Sequence, residues 1–232
     1  MRRKGIEPSI VTFGTLISAL CNKSKIEEAF KLKEEMLKLY NVKPNVYIYT
    51  SLMKALCNNG KLEEALSLRK EIVELDSAVY STIIRALFKA GRKGEVVGVL
   101  EEMKHNGVKP DVVTYNSMIA GFCDDKDFDA ALEVVNEMER NGIKADVVSY
   151  NTIISGFCKE GRWSDAVELF EDMPRRECKP DVLSYKMVFE GLCDAKEFKE
   201  ARLVLDEMVF KGYEPGGASV KKFVAGLCGD GD

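Results

Sequence analysis

The stretch DVVTYNSMIAGFCDDKDFDAALEVVNEM, Asp111 to Met138, carries two apolar stripes of helical period separated by a short polar break. Tyr115, Met118, Ile119, Phe122 and Cys123 fall at i, i+3, i+4, i+7 and i+8. Phe128, Ala131, Leu132, Val135 and Met138 repeat that stripe after the break. Residues at such spacings share one helix face, so the stretch predicts two short antiparallel helices. A helix pair of this size cannot bury its apolar faces alone; it needs neighbours of its own kind.

The chain supplies them. Cys21, Cys57, Cys123, Cys158, Cys193 and Cys228 recur at intervals of 35 or 36 residues, with one wider gap between Cys57 and Cys123. Met1, Met36, Met103, Met138, Met173 and Met208 keep the same time, as do Tyr49, Tyr80, Tyr115, Tyr150 and Tyr185. Starting each repeat three residues before its Tyr, with Phe13 in that place in the first, sets the frame Ile10 to Asn45, Val46 to Asp76, Ser77 to Asp111, Val112 to Asp146, Val147 to Asp181 and Val182 to Gly216. Residues 1–9 match the tail of a preceding repeat and residues 217–232 the first half of a further one, so the frame implies part of a longer array. The second repeat is shortened in its closing turn.

No alternating strand pattern occurs anywhere in the sequence, and the expected fold is an all-α solenoid of stacked helix-turn-helix repeats. Gly60, Gly91 and Gly161 stand where a left-handed residue closes the first helix; Gly107, Gly142 and Gly212 do the same for the second. Pro44, Pro110, Pro180 and Pro215 turn the chain into the next repeat. Ala29, Ala65, Ala131, Ala166 and Ala201 leave room for close helix approach. The third repeat departs from this plan. Its second helix carries Gly94 and Gly98, each costing about 1 kcal/mol against alanine, which makes it the expected soft joint.

A formal net charge of −4 argues against a nucleic-acid binder held by bulk charge, but the charges are segregated. Over the first twelve residues of the first five repeats the only charged side chains are Lys54 and Arg85, whereas Glu27, Glu28, Glu34, Glu35, Glu63, Glu64, Glu101 and Glu102 crowd the second helices. One face is therefore expected neutral to basic and the other acidic. The seven cysteines include no C-x-x-C and are accompanied by one histidine, His105. The clocked six are expected as reduced core residues, since packed helices lie about 8–10 Å apart, beyond the roughly 7 Å reach of a disulfide. Cys178, in a turn, is the one expected to be exposed. No metal and no cofactor is expected. Asp124, Asp125, Asp127 and Asp129 fail the calcium-loop pattern, because Ala130 and Asn136 stand where glycine and glutamate are required. Trp163 sits at a core position, and His105 has no catalytic partner. No run of 18 apolar residues suggests a membrane span. Since Met1 to Ser9 already reads as repeat, no leader is expected there.

The segments DVVTYNSMIAGFC (Asp111 to Cys123), DVVSYNTIISGFCKEGRWSDAVELFEDM (Asp146 to Met173) and KPDVLSYKMVFEGLC (Lys179 to Cys193) resemble the pentatricopeptide repeat, and the resemblance covers essentially the whole chain. It implies a right-handed superhelical α-solenoid and a plant-type organellar protein, of mitochondrion or chloroplast, that binds single-stranded RNA one base per repeat. In that scheme the fifth and last residues of a repeat read a base edge, and the second residue packs against bases. The implied readers are Thr50 with Asp76 and Ser81 with Asp111 for guanine, and Asn116 with Asp146 and Asn151 with Asp181 for uracil, a central site of GGUU. The implied packing residues are Val11, Tyr47, Ala78, Val113, Val148 and Leu183; Lys54, Arg85 and Lys186 are candidate phosphate contacts. Gly14 with Asn45 and Lys186 with Gly216 have no clear reading.

Each of those aspartates also precedes a helix, where Asp serves as an N-cap on structural grounds alone, and the two roles are compatible. The expected function is sequence-selective RNA binding without chemistry of its own, in RNA processing, stabilisation or translation. The alternative is a scaffold that contacts protein within an organellar ribonucleoprotein such as a ribosome or RNA polymerase. Neither reading needs a membrane.

Overall fold

The computed structural model describes residues 7–72 and 75–229; the expected repeat tail at residues 1–9 falls mostly outside them, as does the side chain of Cys228. Every regular element among the described residues is helical. The chain divides within one helix into two compact bodies, residues 1–117 and 118–232. The first contains α1 (Ile10–Asn22), α2 (Ile26–Tyr40), α3 (Val46–Asn58), α4 (Leu62–Arg69), α5 (Ser77–Lys89), α6 (Val96–His105) and the start of α7 (Val112–Asp124). The second holds the rest of α7, then α8 (Phe128–Arg140), α9 (Val147–Lys159), α10 (Trp163–Asp172), α11 (Val182–Asp194), α12 (Phe198–Phe210) and α13 (Gly217–Gly229). Each body is a stack of helix pairs, which makes the fold an all-α helical-repeat solenoid.

Local chemistry sets the helix ends. Asn45, Asp76, Asp146 and Asp181 sit in extended backbone, and each side chain accepts the N–H three residues on, opening α3, α5, α9 and α11. First helices close with one left-handed residue, such as Gly60, Gly91, Lys126 or Gly161. The next N–H then reaches back five residues, as from Arg162 to the Phe157 carbonyl at 2.9 Å. The second helices end in the same way. Asn41, Gly107, Gly142, Glu177 and Gly212 are left-handed, and Val42, Val108, Ile143, Cys178 and Tyr213 follow them. Of these, Ile143 donates to Met138 O and Cys178 to Met173 O, both at 2.9 Å.

That geometry corrects the expectation for the cysteines. Cys178 is buried, at 6 % exposure, because the residue after a left-handed cap folds its side chain back over the helix it closes. Of the clocked set, Cys193 is buried, whereas Cys21, Cys57, Cys123 and Cys158 are half-buried at the ends of their helices.

Within each pair the core forms on the small residues: Ala29, Ala131 and Ala201 are wholly buried, as are Met36, Met103, Met138, Met173 and Met208. First helices pack side by side, α1 on α3 and α3 on α5 in one body, α9 on α11 and α11 on α13 in the other. The third pair differs. Its second helix enters through a 3₁₀ turn, Lys93–Glu95, that contains Gly94, and only then becomes α6.

Candidate functional site

The row of first helices presents one side chain per helix to solvent at its second position. In the N-terminal body these are Val11, Tyr47, Ala78 and Val113, all exposed. In the C-terminal body Val148 and Leu183 are 58 % and 55 % exposed. An isolated exposed valine needs no explanation. The same apolar position open to water in every first helix is a recurring pattern that packing within the helix pairs does not explain.

The fifth positions lie deeper. Gly14, Thr50, Ser81 and Asn151 are buried; Asn116 and Lys186 are half-buried. At Gly14 the missing side chain leaves space that the Tyr47 ring occupies, 3.4 Å from where a Cβ would stand. The Thr50 hydroxyl donates to the Val46 carbonyl at 2.7 Å. The Ser81 hydroxyl donates to Ser77 O at 2.7 Å and lies 3.2 Å from the Thr114 hydroxyl. Asn151 behaves differently: its amide Nδ2 donates to Asp181 Oδ1 at 3.2 Å, joining the fifth and last residues of one repeat.

All four aspartates cap a helix. Asp76 accepts from the Val79 N–H at 3.0 Å, Asp111 from Thr114 at 2.9 Å, Asp146 from Ser149 at 2.9 Å and Asp181 from Ser184 at 2.8 Å. In Asp181 that bond, the Ser184 hydroxyl and the Asn151 amide all meet Oδ1. Partial burial pushes the Asp181 carboxyl up, but these donors outweigh it and hold the group below its ordinary range. Asp111 follows the same balance, with burial opposed by the Ser77 hydroxyl and by Thr114.

Asn151, Asp181, Val148 and Leu183 line one open cavity of about 500 Å³. Apolar side chains and the amide–carboxylate pair line it together. In the N-terminal body a smaller cavity of about 210 Å³ brings Ser81, Ala78 and Val113 together with Lys54 and Arg85. Three further cations line these cavities, Lys89 in the smaller and Lys126 and Lys159 in the larger, where Lys126 is paired with Glu160 at 2.7 Å. The spacing Arg85 to Lys89, one helical turn, was the signal for the first. Asn45 caps α3 from an exposed position, and Lys186 does not line either cavity.

The half-buried thiols line the cavities too, Cys57 in the smaller and Cys123 in the larger. Burial pushes the Cys123 thiol up to about 12 and that of Cys158 to about 11, so neither is a ready nucleophile. No group of three or more His, Cys, Asp or Glu side chains among the described residues could hold a metal ion. No helix among them is long and apolar enough to cross a membrane.

Stacked helix pairs, each first helix with an exposed apolar side chain at its second position, define a modular helical-repeat protein. The sequence matches the PPR repeat family over residues 8–58, 75–124, 110–150 and 145–194, and the PPR repeat over 47–77 and 183–213, so the chain belongs to that family. It is 27 % identical over 124 residues to the small ribosomal subunit protein mL103 (rPPR7) of Arabidopsis thaliana, covering 53 % of this chain and 22 % of that protein. It is similar in fold to the pentatricopeptide repeat protein PPR10 from maize, with a TM-score of 0.64 at 22 % identity over 98 % of this chain and 42 % of that one. For PPR10 in complex with an 18-nucleotide psaJ RNA element the TM-score is 0.61 at 26 % identity, covering 97 % and 38 % of the two chains. The chain thus spans less than half the length of these relatives.

Proposed function

We propose that this chain binds single-stranded RNA, one base per repeat, and acts by occupying or reshaping a transcript rather than by chemistry of its own. The observation that carries the reading is the Asn151–Asp181 pair, bonded at 3.2 Å and lining one cavity together with the exposed Val148 and Leu183. A planar base between two aliphatic side chains, with its polar edge against an amide and a carboxylate, matches those four side chains in kind. The related RNA-bound PPR10 supports the same class of ligand. By the family's code the four central readers prefer 5′-GGUU-3′, with Lys54, Arg85, Lys89 and Lys159 near the phosphates. Few cations contribute, so the salt dependence should be modest. The mitochondrion or chloroplast is the proposed location.

Selection from a random RNA pool tests this reading. The wild-type chain should enrich one short motif. Asn116→Thr should move one position from uracil toward guanine and leave its neighbours unchanged, with discrimination of about 1–3 kcal/mol per base. A wild type that enriches no motif, or a variant that still selects uracil there, refutes it. The similarity to a ribosomal subunit protein favours one alternative, a protein-contacting role within a ribonucleoprotein. Failure to bind any labelled oligonucleotide at low salt would favour that alternative.

A further inference from the structure

The hydrogen bonds around Asn151 include a residue outside the repeat that Asn151 belongs to. The Ser184 hydroxyl, third residue of the following first helix, lies 2.7 Å from Asn151 Oδ1 and 2.9 Å from Asp181 Oδ1. Its oxygen also accepts the Asp181 N–H at 3.1 Å. A carboxylate only accepts, so the amide nitrogen must face Asp181, and the amide oxygen must then face a donor. Ser184 is that donor, its one proton lying toward the nearer of the two oxygens, Asn151 Oδ1. With it in place the amide has one orientation and keeps one N–H and one oxygen lone pair without a partner among the described residues. Without it the flipped amide would be opposed only by the carboxylate.

The other body places a hydroxyl in the same slot, with different bonding. The Thr114 hydroxyl, again third in the following helix, donates to Asp111 Oδ1 at 2.9 Å and lies 3.2 Å from the Ser81 hydroxyl. Ser184 and Thr114 are both wholly buried, so their hydroxyls serve protein partners rather than water. At the junction after the second repeat the slot is apolar: Val79 offers only its N–H to Asp76. The Thr50 hydroxyl there turns back on its own helix, to Val46 O, as the Ser81 hydroxyl does to Ser77 O, but has no second hydroxyl beside it among the described residues.

We propose that a hydroxyl at the third position of the following first helix is a positioning residue, and that a reader followed by one is a triad: fifth residue, last residue and this hydroxyl. The inference rests on the RNA-binding reading and deepens it. It makes the Asn151–Asp181–Ser184 site sharply selective and the Thr50–Asp76 site, which lacks the third member, permissive.

Binding of labelled RNAs that differ in one base at a time tests it on Ser184→Ala, Ser184→Thr and Val79→Thr. Ser184→Ala should lower the preference at the base read by Asn151 about threefold to tenfold, the worth of one hydrogen bond, and leave the preference at other bases intact. Ser184→Thr should retain it, as Thr114 shows that a threonine fits the slot. Val79→Thr should sharpen the preference at the base read by Thr50, and this arm decides the matter should Ser184→Ala fail to fold. A residue that merely caps the helix would lower the melting temperature of Ser184→Ala and leave the ratio of affinities for right and wrong bases unchanged; that result, or no gain in Val79→Thr, overturns the triad while RNA binding stands. A wild type with no base preference overturns both.

Discussion

Replacing Gly156 by alanine would place a Cβ 2.7 Å from Phe128 Cε1 and 3.4 Å from both Phe128 Cζ and Cys123 Cβ. The first distance is shorter than real contacts allow, so something must move. The Phe128 ring cannot easily do so. It is buried, stacks on Phe157 with centroids 4.5 Å apart, and lies under the Arg162 guanidinium at 5.2 Å. Such overpacking costs about 1–3 kcal/mol. Against that, alanine gains about 1 kcal/mol over glycine inside a helix. Gly98 in α6 provides the reference, since a Cβ there meets nothing within 4 Å and only the propensity gain remains. The difference between the two variants isolates the clash. At about 2–4 °C per kcal/mol for a chain of this size, Gly98→Ala should melt about 2–4 °C above wild type, and Gly156→Ala between level with wild type and about 8 °C below. Thermal unfolding followed by circular dichroism reads both. Adding Phe128→Leu should cost less in the Gly156→Ala background than alone, because it removes the atom that clashes. If Gly156→Ala melts as high as Gly98→Ala, the start of α8 is not held against α9 at the separation that glycine permits, and the packing argument fails.

Two further outcomes follow from the cysteines and the capping carboxylates. In the native protein at pH 8, a thiol reagent should modify the half-buried Cys21, Cys57, Cys123 and Cys158 slowly and Cys178 and Cys193 last, since burial raises every one of these thiols; mass spectrometry that finds Cys178 labelled first would refute its packing beneath the turn. Asp111 and Asp181 are held below their ordinary range in the folded state, so their stabilisation is complete above the unfolded carboxylate value of about 3.9 and is lost as pH falls through their lower folded values. Wild type should therefore lose more of its melting temperature between pH 6 and pH 3 than Asp181→Asn, which keeps a capping side chain without the titration; equal losses would remove Asp181 from the acid limb.

The helical-repeat class was legible because two independent signals agree at each repeat, the apolar stripe and the left-handed cap that ends it. Cys178 escaped because a cysteine in a charged turn, between Arg175, Arg176 and Lys179, looks exposed when read alone. Its slot was readable by comparison: Val108, Ile143 and Tyr213 share it, and each donates its N–H back to the methionine five residues earlier. The polar edge of the groove divides in the same way. The fifth and last residues emerge from a single repeat and its family resemblance, whereas Thr114 and Ser184 look like ordinary helix residues until the next repeat is stacked beside them. Ser77 extends this point. It stands where Val46, Val112, Val147 and Val182 stand, and its hydroxyl donates to Asp111 Oδ2 at 2.6 Å while Thr114 holds Oδ1. Both oxygens of Asp111 are thus engaged within the protein, whereas at Asp181 the Ser184 N–H and the Asn151 amide both meet Oδ1. Two repeats with the same terminal aspartate therefore offer different edges to a ligand, and the cause is one hydroxyl at the first position of a helix, outside the two residues that a code would read.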